Sequence, residues 1–139
     1  MSEPVFVDTS ALYAALDATD ANAPTAVPIW ARLLNDVEVG TIELFTHSSV
    51  IVESVALVQR RLGMPATRVL VDEFVRLMTV VWIDAELHAR ATTALLAANR
   101  RDVSLVDWTS FEVMRERTMD VAFAFDEDFS RQGFTVLAA

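Results

Sequence analysis

Short apolar runs alternate with segments of helical periodicity along almost the whole chain, and this alternation constrains the fold more than any other feature. The runs at residues 5–7, 42–46, 79–83, 121–125 and 134–137 are short, rich in β-branched or aromatic residues, and bounded by polar or turn-forming residues. They are therefore predicted to be strands. Helical segments between successive strands indicate an α/β domain, in which a mainly parallel sheet lies between two layers of helices.

The segments between the runs carry apolar residues at helical spacing. Helices are predicted over residues 9–16, about 25–39, 48 or 49 to 62, about 66–78, 84–100 and 104–118, with a single turn at 127–132. A chain of 139 residues predicts one domain spanning residues 1–139, large enough to bury a core.

The composition excludes several kinds of chemistry. The chain has no cysteine and no lysine, so all eleven basic residues are arginines. This excludes thiol catalysis, disulfides and the lysine of a phosphate-binding P-loop. Twenty acids give a net charge of −9, so nucleic-acid chemistry would need a divalent metal, a local arginine patch or a basic partner. We expect no signal peptide and no membrane association, and hence a cytoplasmic protein.

Four acidic residues lie where a shared site is expected. Asp8 follows the first strand, Asp126 follows the fourth, and Glu53 and Asp107 lie within apolar helical sequence. Taken singly, Asp8 and Asp126 suit helix N-termini, and Asp107 suits a capping box that starts at Ser104. If the fold brings the four together, a hard divalent cation such as Mg²⁺ or Mn²⁺ would relieve the repulsion between their carboxylates. Such an ion activates water and stabilises charge on a phosphate.

The stretches around these acids carry a family resemblance. They are residues 6–12 (FVDTSAL), Glu53 in its apolar helix, residues 105–111 (LVDWTSF), and residues 125–129 (FDEDF) with the following Gly133-Phe134. In their order and separations, they resemble PIN-domain ribonucleases, and in particular the VapC-type toxins of bacterial toxin–antitoxin pairs.

The resemblance implies a three-layer α/β/α PIN-like fold and metal-dependent endoribonuclease activity. Asp8, Glu53, Asp107 and Asp126 would occupy the four catalytic acidic positions, with Mg²⁺ or Mn²⁺ as the cofactor. Asp8 and Asp107 are expected to bind the metal directly. Glu53 and Asp126 would bind it directly, bind it through water, or orient the attacking water.

Hydroxyl groups and a fifth acid extend the expected site. Thr9 or Ser10 would place a hydroxyl beside the metal or the scissile phosphate, and Ser110 would do so less directly or serve only within its helix. Relatives often have a basic residue or histidine two places after the fourth acid, where this chain has Asp128. Asp128 would bind a second metal, replace Asp126 as a ligand, or only begin a helix. His47 is expected in a surface or helix-capping role.

The resemblance also implies partners. The substrate would be a structured RNA such as a tRNA or an rRNA loop, and a VapB-type antitoxin would place an arginine in the acidic cleft. A homodimer is expected as well. Two alternatives stay open: a PIN-fold nuclease acting on DNA or precursor RNA, and a PIN-fold module that binds without catalysis.

Overall fold

A computed structural model describes residues 1–137, and its centre is a sheet of five parallel strands. In chain order they are β1 (Glu3–Val7), β2 (Ile42–His47), β3 (Met78–Val81), β4 (Val121–Phe123) and β5 (Thr135–Val136). The spatial order is β3-β2-β1-β4-β5, and every neighbouring pair is parallel. The predicted α/β class and parallel sheet are confirmed. The last two residues of the predicted domain, 138 and 139, lie outside the described residues.

Helices connect the strands and cover both faces of the sheet. They are α1 (Thr9–Leu16), α2 (Ala23–Glu38), α3 (Ser48–Leu62), α4 (Met64–Val69), α5 (Ala85–Ala98), α6 (Leu105–Glu116) and α7 (Asp128–Arg131). The chain moves from β1 to β3 in one direction along the sheet and from β3 to β5 in the other. Because parallel crossovers are right-handed, α1 to α4 cover one face and α5 to α7 the other. The packing of α1 on α2 and α3, and of α5 on α6, agrees with this division.

The strand order reverses at the neighbouring strands β1 and β4, which creates a crevice at their carboxyl ends. The backbone N–H of Asp8 donates a hydrogen bond to the carbonyl of Phe123 at 3.0 Å, joining the two strand ends. In open α/β sheets, ligands bind at this kind of reversal point. The fold therefore places a binding crevice beside Asp8 and the segment that follows Phe123.

Several predicted boundaries differ from those of the structure, and the strand predicted over residues 79–83 ends at Val81. The helix expected over residues 66–78 is α4, followed by a π-helical segment (Leu70–Phe74) and a 3-10 turn (Val75–Leu77). Met78 belongs to β3 because it is buried and pairs with Leu44 of β2. Strand β4 ends at Phe123 rather than at residue 125.

Buried aromatic rings hold the elements around the crevice. Phe111 of α6 meets Trp108 and Phe129 edge to face, with ring centroids 5.4 and 5.0 Å apart. Phe129 also stacks against Phe6 of β1 at 6.1 Å. Burial of such rings contributes a large part of core stability. Trp108 and Phe129 each follow an acid directly in the chain, so this packing fixes the backbone of both acids. Across residues 1–137, no helix is both long and apolar enough to cross a membrane.

Candidate active site

Three carboxylates converge at the crevice. Asp107 lies in the first turn of α6, Asp126 lies in the loop after β4, and Asp128 begins α7. One oxygen from each lies within 4.8 Å of the others. Asp128 is buried, whereas Asp107 and Asp126 are half-buried and open toward solvent. The sequence predicts that Asp107 and Asp126 lie together, and Asp128, the fifth acid that the sequence offers as a metal ligand, lies in the same close group.

Asp8 lies beside this group at the end of β1. Its side chain is 4% exposed, and its Oδ2 accepts hydrogen bonds from the Ser10 N–H at 3.1 Å and the Ser10 hydroxyl at 2.6 Å. Burial raises the pKa of Asp8 to about 6, although the Ser10 bonds oppose the shift and the charges of Glu53 and Asp126 add to it. The predicted capping role of Asp8 is confirmed, and the same carboxyl faces the other acids.

Asp107 has both a structural bond and a charged environment. Its Oδ2 accepts the Ser104 N–H at 3.3 Å, and the Ser104 hydroxyl accepts the Asp107 N–H at 3.2 Å, which forms the predicted capping box. Burial, followed by the negative charges of Asp8 and Asp126, raises the pKa of Asp107 to about 7. Capping alone does not account for a carboxyl placed among other acids, because like charges disfavour its ionised form.

Asp126 and Asp128 are linked to each other and to one arginine. The Asp128 N–H donates to Asp126 Oδ1 at 2.9 Å, and burial raises the pKa of the Asp126 carboxyl. Arg131 donates to Asp128 Oδ1 at 3.1 Å and to Glu127 at 2.9 Å. Asp128 is therefore partly neutralised by Arg131, and a cation bound among the acids would compete with this ion pair.

Glu53 is the outermost predicted acid. It lies on the solvent side of α3 and is exposed, which explains how a carboxylate sits within an apolar segment. The negative charge of Glu53 helps to raise the pKa of Asp8, so the two carboxylates are close enough to repel each other. The structure thus places Glu53 beside Asp8, outside the close group of three.

The predicted hydroxyl residues have different surroundings. Ser10 donates to Asp8 and accepts the Phe125 N–H at 2.9 Å, so it joins β1 to the segment after β4. Thr9 is buried, and its Oγ1 accepts the Ser54 hydroxyl at 3.1 Å. Ser110 is fully buried and donates to the Val106 carbonyl at 3.0 Å, within its own helix.

The sequence does not predict the supporting role of Ser54 and predicts that of His47 only in part. Ser54 follows Glu53 and anchors α3 to Thr9, but one serine in an apolar helix gives no signal of this contact. His47 caps α3 as expected, yet it is fully buried rather than at the surface. Its Nδ1 accepts the Val50 N–H at 3.3 Å, so Nε2 carries the proton toward Ser110 Oγ at 2.9 Å. Burial lowers the pKa of His47 to about 4.

The donor set suits a hard divalent cation. All candidate ligands are carboxylate oxygens, which Mg²⁺ and Mn²⁺ prefer, and one edge of the group is open to solvent. The raised pKa values of Asp8 and Asp107 show that their ionised forms lack sufficient compensation. A cation placed among them would favour ionisation and lower both values.

Comparison with known proteins agrees with this geometry. A family model described as the PIN domain matches residues 5–135. The chain belongs to the PIN-domain family. The 23S rRNA-specific endonuclease VapC20 of Mycobacterium tuberculosis is 38% identical over 133 residues, which cover 94% of this chain and 95% of the relative. The resemblance to VapC-type PIN proteins is therefore confirmed.

Solved structures support the fold. The crystal structure of M. tuberculosis VapC20, described as a sarcin-ricin loop cleaving toxin, has a TM-score of 0.81 at 33% identity, covering 94% of this chain and 96% of that one. VapBC2 from Rickettsia felis, bound to a DNA fragment from its promoter, has a TM-score of 0.68 at 11% identity, with 96% of each chain covered. At that identity, the second match bears on the fold alone.

Proposed function

We propose that this PIN-domain protein is a metal-dependent endoribonuclease and the toxin of a toxin–antitoxin pair. The observation that carries the proposal is the convergence of Asp8, Asp107, Asp126 and Asp128 at the reversal point of a parallel sheet. The proposed substrate is a structured RNA of the rRNA class. Similarity to VapC20, a 23S rRNA-specific endonuclease, over 94% of the chain supports that choice. We assign the activity to the cytoplasm, where such RNA is found.

The chemistry would be hydrolysis of a phosphodiester bond. Bound Mg²⁺ or Mn²⁺ would supply an activated water and stabilise charge on the phosphate. Asp8 and Asp107 are proposed as direct ligands, since the pKa values of both are raised to about 6 and about 7 and the charge of Asp8 contributes to the shift of Asp107. Asp126 and Asp128 are adjacent enough to hold the same ion or a second one. Glu53, at the open side, would bind the metal directly or through water, or orient the attacking water.

The hydroxyl groups have positioning roles in this proposal. Ser10 fixes the Asp8 carboxylate and holds the strand ends together through Phe125. The bond between Ser54 and Thr9 anchors α3, and thereby Glu53, to the start of α1. Ser110 has an indirect role, because its hydroxyl contacts His47 and the backbone of α6 rather than an acid.

The partners proposed here are those that the family resemblance implies, and the negative charge of the crevice suits one of them. A VapB-type antitoxin would insert an arginine, whose guanidinium forms paired hydrogen bonds with carboxylates, and so block the site. The similarity to M. tuberculosis VapC20, described as a toxin, supports the proposal of such a pair. We also expect the toxin itself to form a homodimer.

Expression in cells tests this function. Production of the protein alone should arrest growth and generate a discrete break in rRNA, whereas Asp107→Asn should do neither. Asparagine keeps the capping acceptor of Asp107 but loses its charge, so folding should be preserved. Normal growth with intact rRNA, in cells that contain folded protein and no antitoxin, would contradict the proposal. Breaks in DNA or precursor RNA would favour the other PIN-nuclease alternative.

A further inference from the structure

An apolar hollow adjoins the acidic crevice at the carboxyl edge of the sheet. It has a volume of about 500 Å³ and is lined by Ser48, Ser49, Val52, Glu53, Trp82 and Val106. Trp82 follows β3 directly and is 75% exposed, and Val52 of α3 is 69% exposed. Contiguous exposed apolar side chains that line a hollow are typical of ligand-binding grooves.

The hollow is continuous with the proposed catalytic site on two sides. Glu53 lines the hollow, and the charge of Glu53 also contributes to the raised pKa of Asp8. Val106 lines it from α6 and directly precedes Asp107 in the chain. The hollow therefore adjoins the acidic group on the side of Glu53 and Asp107.

The position of Trp82 is defined by the backbone that follows it. The Ile83 N–H donates to the Ser48 hydroxyl at 3.2 Å, which ties this segment to the start of α3. The indole is thus carried by an anchored segment while its ring remains open to solvent. A flat aromatic ring held in this way is suited to stacking against another flat ring.

The charge of the lining selects the kind of group that can enter. Among the described residues, the only charged side chain of the hollow is that of Glu53. An RNA phosphate would be repelled there, whereas a neutral base is not. The serine hydroxyls can meet the polar edge of a base while Trp82 and Val52 contact its faces. RNA loops expose unstacked bases that aromatic side chains bind in this manner.

We propose that this hollow is a base-binding subsite, in which Trp82 stacks on an unpaired base next to the scissile phosphodiester. The inference rests on the proposed ribonuclease function and adds a determinant of substrate selection to it. Loss of one stacking contact should weaken recognition of the RNA by about 5- to 100-fold.

Cleavage kinetics of matched variants provide the test. We would compare the wild type, Trp82→Ala, Trp82→Phe and Leu96→Ala on an RNA stem-loop that contains the cleaved sequence. Leu96 is a control because it is 77% exposed and lies on α5 outside the hollow. Trp82→Ala should lower kcat/KM by about 5- to 100-fold, chiefly through KM, and Trp82→Phe should recover most of the loss. Leu96→Ala should cleave like the wild type.

Abasic substrates identify the stacked base. Removing one particular base beside the cleaved bond should slow the wild type but not slow Trp82→Ala further, whereas other abasic positions should affect both proteins equally. Equal rates for Trp82→Ala and the wild type, or additive losses at every position, would overturn the proposal. So would conversion of a dimer to a monomer by Trp82→Ala in sedimentation, since the hollow would then be an interface between copies.

Tryptophan fluorescence separates this proposal from the ribonuclease function. Trp30 and Trp108 are 6% and 8% exposed, so quenching by acrylamide reports mainly on Trp82, and Trp82→Phe gives the background. If the wild type cleaves no RNA, the proposed ribonuclease function is wrong. The fluorescence measurement then tests base binding in the hollow by itself. Protection of Trp82 by an oligoadenylate with Mn²⁺ would support the base site. Unchanged quenching would overturn it.

Discussion

Replacing Asp8 by asparagine should stabilise the metal-free protein at neutral pH while abolishing cleavage. Asp8 is 4% exposed, and burial raises its pKa from 3.8 to about 6. The folded protein therefore carries a carboxylate that would be more stable in the unfolded chain. Asparagine removes the charge but keeps an oxygen that can accept the two hydrogen bonds from Ser10.

The size of the effect follows from proton linkage. A folded pKa above the unfolded one means that the folded state binds more protons between about pH 4 and 6, so stability rises as pH falls through this window. The cost of ionised Asp8 is about 3 kcal/mol at pH 7.5 and falls to about 0.5 kcal/mol at pH 4. Burying the amide itself has a cost, so we expect a net gain for Asp8→Asn of about 1–3 kcal/mol at pH 7.5.

Urea denaturation in EDTA at pH 7.5 and pH 4 measures this difference. The gain of Asp8→Asn over the wild type should shrink by about 2.5 kcal/mol between the two pH values. His47 titrates in the same range with the opposite sign, but it is present in both proteins, so its contribution cancels. A variant less stable than the wild type at pH 7.5, or a difference independent of pH, would refute the assignment of Asp8 as a destabilised charge.

Three further predictions concern the metal and the supporting residues. Mn²⁺ at 100 times its Kd should stabilise the wild type by about 2.7 kcal/mol, and a thermal melt should show almost no shift in Asp107→Asn; equal shifts in both would contradict a site at these acids. Ser10→Ala should lower the free energy of unfolding by about 1–3 kcal/mol, because the Phe125 N–H loses its acceptor. Ser130→Ala, at an exposed hydroxyl, is the control for that urea measurement, and equal losses in the two variants would argue against the bridge. For His47, a folded pKa of about 4 below the ordinary 6.5 means that stability is lost as pH falls from 6.5 to 4. The free energy of unfolding of His47→Asn should fall by about 3 kcal/mol less than that of the wild type over this pH range. If the two proteins show the same dependence of stability on pH, His47 is not buried in its neutral form.

The sequence contained most of the information needed for the strands and for the acids beside them. An apolar run that stops at an acid marks the end of β1 and comes within two residues of the end of β4, and this places Asp8 and Asp126 at one edge of a parallel sheet. The capping box of Asp107 is likewise a local pattern, and its prediction is confirmed. These features depend on neighbours within a few residues along the chain.

The remaining features depend on contacts between distant residues. His47 and Ser110 are 63 positions apart, and Ser10 meets Phe125 across 115 positions. No local pattern predicts either bond. The irregular helix before β3 is another case, because the pairing of Met78 with β2 decides where that strand begins. The exposure of Trp82 is also decided by the assembled fold, since an aromatic residue at the end of an apolar run is equally compatible with the core.

Mapping of RNA ends tests the central claim most directly. Purified, partner-free protein would be incubated with total RNA from its source organism and Mn²⁺, and new 5′ ends would be sequenced, with Asp107→Asn and EDTA as controls. We predict a small number of discrete ends within rRNA that are absent from both controls. Ends that also appear with Asp107→Asn, or no new ends with the wild type, would contradict the assignment of these acids as the centre of a ribonuclease.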